Sequence, residues 1–197
     1  MRPRLTAVVP HWPLDDEVDE ALRTCLASLP SDCEKVVVVN HGTGFAVNVN
    51  IGLRVATGEY LAVVTNDSRV LEGDVYDLCV LGTVTSPLVL ERPGVERGGF
   101  HGAFWVTPRG VLDRVGLLDE RFGGAFFEDD DYLERLRAAG IPTRQVASVR
   151  VWSRRIGLTM SKLPDNGRGL YAANQRRFEE KWGWTPPPTD PGAASDG

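Results

Sequence analysis

Long apolar runs are missing from this chain of 197 residues. No stretch approaches the roughly 20 apolar residues that cross a bilayer, so no transmembrane segment is expected. Peripheral contact with a membrane surface stays open. Basic tracts are missing too. The formal net charge is −5 and the cations, nearly all arginine, are scattered. A nucleic-acid partner needs clustered Lys and Arg, so none is expected. Cysteine is scarce: Cys25, Cys33 and Cys79 are odd in number and lack CxxC spacing. That fits reduced thiols in a cytoplasmic protein better than a disulfide framework or a zinc site. Arg2 and Arg4 precede too short an apolar run for a signal peptide, and no internal repeat is visible. What is present is ordinary. Hydrophobic content of 42% and charged content of 25% suit one globular domain with a real core.

The chain then reads as alternating strands and helices. Leu5 to Pro10 is a first strand, stopped by Pro10. Val18, Leu22, Cys25, Leu26 and Leu29 recur at helical spacing behind the acids Asp15, Asp16 and Glu17, which suit a helix start. Lys35 to Asn40 is continuously apolar, as in a parallel strand covered on both faces. A tight loop, His41 to Gly44, leads to a helix over Phe45 to Ala56, with Gly52 placed to let it approach the sheet. Tyr60 to Thr65 is a third strand. Strand, helix, strand, helix, strand is a doubly wound beginning.

After Asp67 the pattern loosens. Val75 to Val89 is apolar and ambiguous, and Pro93 to Gly99 reads as a loop. Ala103 to Thr107 is a strand, and Pro108 can open a helix reaching about Val115. Four acids, Glu128 to Asp131, open another helix that Gly140 stops. Gln145 to Trp152 is a last strand, Tyr171 to Lys181 a terminal helix, and residues 185–197 a disordered tail.

Two acidic positions can carry chemistry. The apolar third strand ends abruptly in Asn66-Asp67-Ser68. At that carboxyl end Asp67 sits at the mouth of the sheet, where open α/β sheets bind ligands. A short acid there can hold a divalent cation, which can hold a diphosphate. Asn and Asp also simply start turns. The acids at 128–131 read either as a solvated helix start or as a catalytic cluster.

The order of motifs resembles the inverting, GT-A type glycosyltransferases of family 2, in particular a bacterial rhamnosyltransferase-like branch. Leu5 to Trp12 resembles the family's opening strand and loop. Val36 to Thr43 resembles its apolar strand and Asp-Asn-Gly-Ser turn, and the segment Gly44 to Leu61 resembles the approach to its Asp-x-Asp element, here Thr65-Asn66-Asp67. Gly102 to Asp131, with Gly116 to Phe122, resembles the acceptor segment, and Asn174, Arg177, Phe178, Lys181 and Trp182 fit a recurrent ending. The match covers residues 5–184.

The resemblance implies a GT-A fold, a mixed and mostly parallel sheet flanked by helices, in a single domain over 1–184. Residues to about 68 would form the nucleotide half, and residues from about 98 the acceptor half. It implies transfer of a sugar, with inversion, from a UDP- or dTDP-sugar to a hydroxyl of a glycan, lipid-linked or protein acceptor. Asp67 would hold Mg²⁺ or Mn²⁺ and the diphosphate, beside Asn66. Asp129 would be the general base, with Glu128 and Asp130 raising its pKa toward a useful value. Pro10, His11, Trp12, Asn40 and Asn50 would face the nucleotide, and His101 and Asp131 the acceptor side. The sequence departs from the family in two places. Thr65 replaces the first acid, and Ser153 stands near the His that completes the cation site in many relatives. Arg154 or Arg155 could then neutralise the diphosphate directly. Short segments around Asn40 and from Asp67 to Gly98 suggest an open acceptor site suited to a large acceptor. Three rivals are a sugar-nucleotide-binding protein without catalysis, a nucleotidyltransferase and a plain interaction module, the last leaving the acidic cluster and Asp67 unexplained. The second normally has a Gly-rich loop with Arg and Lys where this chain has Pro10-His11-Trp12-Pro13.

Overall fold

The structure is a computed structural model that describes residues 4–39, 42–92, 95–97, 99–154, 157–163 and 165–185. The elements run β1 (Leu5–His11), α1 (Asp16–Ser28), β2 (Glu34–Val39), α2 (Phe45–Val55), β3 (Tyr60–Val64), β4 (Arg69–Glu72), a 3₁₀ turn (Val75–Leu78) and β5 (Val84–Arg92). They continue with β6 (Val95–Arg97), β7 (Phe104–Pro108), α3 (Arg109–Val115), α4 (Glu128–Ala138), β8 (Thr143–Trp152), α5 (Leu158–Ser161) and α6 (Arg168–Trp182). Among the described residues no helix is long and apolar enough to cross a membrane.

One mixed sheet carries the strand order β2-β1-β3-β7-β5-β8-β4, with β6 added to β5. The doubly wound beginning appears as the parallel run β2-β1-β3. β7 then joins β3 antiparallel, and β5 pairs β8 parallel. β1 is the most enclosed strand, with all seven residues buried. The apolar faces of the sheet are covered in two layers. Val8, Leu61, Val63 and Trp105 pack under α2, α3 and α4, while Ala7, Val9, Val64, Phe104 and Val151 pack under α1 and the 3₁₀ turn. A third cluster, Phe122, Phe127 and Phe178, ties α6 to the loop before α4.

β2 departs from expectation. It lies at the edge, with Val37 36% and Val39 50% exposed. A run of apolar residues records β preference but not how many neighbours the strand has, and here only β1 flanks it. The ambiguous stretch after Asp67 resolves into β4, the 3₁₀ turn and β5, and the loop at 93–99 contains β6. The terminal helix starts three residues earlier than its apolar pattern indicated.

The sheet's change of direction builds the site. β1 and β3 run parallel, so their carboxyl ends open on one rim. β7 is antiparallel, so its amino end meets the same rim, with Val64 opposite Phe104. The backbone N–H of Thr65 donates to Ala103 O at 2.8 Å, joining the loop after β3 to the loop before β7.

α2 rests on β1 and β2 through Gly52, where a Cβ would lie 2.3 Å from Val8 Cγ1 and 3.2 Å from Val38 Cγ2. Both neighbours are stiff β-branched side chains. Gly52→Ala is expected to destabilise the fold by about 1–3 kcal/mol. A thermal melt checks this, and an unchanged midpoint would show that α2 can lift away freely.

Candidate active site

The rim encloses a cavity of about 460 Å³. Its walls include Pro10 and His11 at the end of β1 with Trp12 just after it, Thr65 to Asp67 after β3, and His101 to Ala103 before β7. Gly124 to Asp130 line it as well, as do Ser153, Arg154, Gly157 to Met160 and Leu163 after β8.

Asp67 is 5% exposed. Its Oδ2 accepts the backbone N–H of Leu158 at 2.6 Å, which holds the start of α5 against the end of β3. Burial pushes its carboxyl up, and the Leu158 N–H opposes that. Asn66 is oriented by a chain of bonds. Its Nδ2 donates to His11 Nδ1 at 3.1 Å, and His11 Nε2 lies 2.9 Å from Asp19 Oδ1. With Nδ1 accepting, the ring proton sits on Nε2 and points at Asp19. Thr65 cannot act as an acid, and its hydroxyl is 2.7 Å from that of Ser68. Ser153 is buried and lines the cavity together with Asp67. Arg154 reaches the cavity wall while its guanidinium donates to Glu17 Oε1 at 3.2 Å. Beside it Lys162 pairs with Asp15 at 2.9 Å and with Glu17 at 2.5 Å, so three ion pairs dock Arg154 and Lys162 on the start of α1.

Just before α4 the backbone turns sharply. Phe126 and Phe127 are consecutive residues with φ of 77° and 70°. This left-handed geometry is strained for side chains of that size and persists only where surroundings enforce it. Asn174 of α6 does the enforcing. Its side-chain Nδ2 donates to the carbonyls of Gly123, Ala125 and Phe126 at 2.9, 2.8 and 3.1 Å. Its Oδ1 accepts from Arg177 at 2.6 Å. Phe45 N–H adds a bond to Gly124 O at 2.6 Å. The turn delivers Glu128, Asp129 and Asp130 to the cavity as the first residues of α4. Gly102 faces Asp129 so closely that a Cβ there would lie 2.1 Å from Asp129 Oδ2.

The carboxylates crowd one another in a poorly hydrated space. Burial, then the charge of Asp129, pushes Glu128 well above the usual carboxylate range. The same two causes raise Asp130 to about 8. Glu128 is 6% exposed and its Oε2 has no hydrogen-bond partner among the described residues. Leaving such a group unsatisfied costs about 1–3 kcal/mol.

Nine of the expected residues therefore meet at one cavity: Pro10, His11, Trp12, Asn66, Asp67, His101, Glu128, Asp129 and Arg154. Two do not. Asn50 is buried away from it, with Nδ2 donating to Leu118 O and Oδ1 accepting Leu118 N–H, both at 2.9 Å. That amide splices α2 to the connector before α4 rather than facing a nucleotide. Asp131 is fully buried, held by Arg135 and Lys181 and by Trp182 Nε1 at 2.9 Å. One helical step beyond Asp130, it points into the junction with α6 instead of the acceptor side. Asn40 and Arg155 lie outside the described residues. Sequence reasoning placed Asn174 in a recurrent ending without seeing its task. The signal available was an amide on an apolar helix face, which must bond to something when buried.

Comparison with family models and with curated proteins returns no match. Solved structures do resemble the fold. A mannosyltransferase from Pyrobaculum calidifontis in complex with GDP-Man and Mn²⁺ superposes with a TM-score of 0.59 at 16% identity, over 88% of this chain and 69% of that one. A Drosophila β-1,4-galactosyltransferase 7 complex with manganese, UDP-Gal and xylobiose gives 0.54 at 17%, over 72% and 64%. GalNAc-T7 with UDP, GalNAc and Mn²⁺ gives 0.56 at 14%, over 76% and 43%. These neighbours are GT-A glycosyltransferases, and the architecture of this chain is the GT-A fold.

The raised carboxyls give the unliganded protein a pH signature. Asp130 moves from an ordinary 3.8 to about 8 on folding. Its neutral form is favoured in the native state, so this stability is complete below pH 3.8 and is lost as pH rises through about 8. Glu128 shifts in the same direction. The urea midpoint is expected to fall between pH 5 and pH 8, and Asp130→Asn should flatten that fall. A wild-type midpoint that rises over this range would contradict the crowding.

Proposed function

We propose that this chain is a glycosyltransferase of the family-2, rhamnosyltransferase-like kind, a single unit over residues 1–184. It moves a sugar from a UDP- or dTDP-sugar to an acceptor hydroxyl with inversion. One observation carries the reading. Within a GT-A fold, one cavity is lined both by the strand-end Asp67 and by Glu128-Asp129. Residues after β1 and β3 would hold the nucleotide diphosphate, and the start of α4 would meet the acceptor.

Each residue then has a task. Asp129, set at the mouth of α4 by the strained turn, accepts the proton of the acceptor hydroxyl as that oxygen attacks the anomeric carbon. The Asp19–His11–Asn66 chain fixes the floor of the nucleotide end. Arg154 can exchange Glu17 for a diphosphate oxygen, since both present the oxygens a guanidinium fork matches. His101 lies beside Gly102, over which Asp129 sits, on the acceptor side.

Mg²⁺ or Mn²⁺ belongs to this proposal. Among the described residues no three His, Cys, Asp or Glu side chains converge to cage a metal. The donor set is one buried carboxylate, Asp67, whose charge burial disfavours. That chemistry fits a cation that keeps waters and takes its remaining ligands from substrate phosphates. When bound, the cation supplies charge that stabilises the leaving diphosphate. Acceptor identity follows from no residue here, so a glycan, a lipid-linked sugar or a protein each remain within the proposal.

Asp129→Asn tests the catalytic assignment. Turnover should fall about 10²–10⁴-fold, the usual contribution of a general base. Nucleotide affinity should be retained. Equal loss of affinity and turnover would show a binding residue, and unchanged turnover would move the base elsewhere. Asp67→Ala should abolish any Mn²⁺-dependent gain in nucleotide affinity, measured by calorimetry with and without the metal.

A further inference from the structure

The terminal helix grips the chain on both sides of the acidic cluster. Asn174, Phe178, Lys181 and Trp182 recur at helical spacing and form one stripe of α6. Asn174 meets the carbonyls of Gly123, Ala125 and Phe126. Tyr171, one turn earlier on that stripe, and Phe178 pack on Phe127, with ring centroids 4.9 and 5.7 Å away. Lys181 Nζ and Trp182 Nε1 hold Asp131 at 2.6 and 2.9 Å. Between these two anchorages lie Glu128, Asp129 and Asp130, and those three side chains line the cavity. A helix start carrying adjacent acids in a space of low dielectric spreads unless it is held. Phe126 and Phe127, both at left-handed φ, are the residues with backbone strain to release.

The amide of Asn174 has one workable orientation. Its two Nδ2 protons serve three carbonyls, so one proton is shared. Turned over, it would set an oxygen against those carbonyls and an NH₂ against Arg177, whose guanidinium donates to Oδ1 at 2.6 Å. Asn174 is 0% exposed, whereas Arg177 lies at the surface.

We propose that Asn174 is a positioning residue: through the carbonyls before α4, and with Arg177 fixing its amide, it holds Asp129 where that side chain meets the acceptor hydroxyl. This rests on the reading of Asp129 as the group that receives the acceptor proton. A base acts only within hydrogen-bond reach of the proton it takes, and a displacement of about 1 Å costs about 10²-fold. α6 therefore acts as a splint for the cluster.

The test follows the urea midpoint from pH 5 to pH 8 in wild type, Asn174→Ala, Arg177→Met and Gly52→Ala. Asp130 titrates beside Glu128 and Asp129, with Glu134 and Arg137 on α4, Lys181 on α6, and Asp67, His11, His101 and Arg154 on the cavity walls. Acids held together lose stability as pH rises, and acids free to spread do not. Asn174→Ala should unfold at lower urea at pH 5 and show less than about half of the wild-type fall. Arg177→Met changes a surface residue and leaves Asn174 in place, so it stays folded, and its fall should be intermediate. Gly52→Ala, destabilised elsewhere, should keep the full fall. Affinity for UDP and dTDP in Mn²⁺ should stay within about twofold in Asn174→Ala and Arg177→Met. Cleavage of UDP-galactose or dTDP-glucose by water should drop about 10²-fold in Asn174→Ala. Parallel pH curves for the four proteins, flat ones included, overturn the proposal and leave the glycosyltransferase reading standing. A flattened curve with unchanged cleavage, or with lost nucleotide affinity, overturns the positioning role. A wild type that binds neither nucleotide overturns the glycosyltransferase reading and this proposal with it, whatever the pH curves show.

Discussion

Crowded negative charge is the constraint on which the rest of this structure depends. Asp67, Glu128, Asp129 and Asp130 open on one cavity, and the guanidinium that lines it among the described residues, Arg154, is already paired with Glu17. Like charges in a space of low dielectric repel strongly, so folding brings them together only because other contacts are stronger. The sheet contributes by its change of direction at β3 and β7. α6 contributes through Asn174, whose three bonds to carbonyls keep the chain in a left-handed turn before Glu128. At its wall Glu128 Oε2 has no hydrogen-bond partner among the described residues. A ligand that brings cationic charge at one end and hydroxyl groups at the other removes the mismatch.

The scaffold separates two kinds of acid. Asp131, one residue past the cluster, is enclosed by Arg135, Lys181 and Trp182 and contributes to packing. Asp119 pairs with Arg121 and Lys181 on the same side, and its carboxyl is held below the usual range, first by the Arg121 bond. Acids with partners anchor α6 to the rest of the molecule. Stability and function are divided between neighbours in sequence, which is the usual cost of building a charged site.

Much of the first half was legible in the sequence because local signals and tertiary outcome agree there. β1, α1, α2 and β3 follow from apolar periodicity, and the strand-end position of Asp67 follows from them. The acidic start of α4 was visible for the same reason. The edge position of β2 was not, because Val36 to Val39 read the same whether one strand or two flank them. Asn50 and Asp131 were misplaced because a polar residue on a helix shows its type but not its partner. Leu118 lies 68 residues from Asn50, and Trp182 lies 51 from Asp131. The docking of Arg154 and Lys162 against α1 was illegible likewise, since it rests on pairs such as Glu17 with Arg154, 137 positions apart.

The central claim is that the cavity takes a nucleoside diphosphate at the Asp67 end. A thermal-shift comparison of UDP, dTDP, GDP and CMP, each with and without Mn²⁺, tests it most directly. A ligand at about 100 times its dissociation constant adds about 2.7 kcal/mol, a readily visible shift. The account predicts stabilisation by UDP or dTDP that requires Mn²⁺ and disappears in Asp67→Ala. No shift with any of the four, at millimolar concentration and with the metal present, would contradict it.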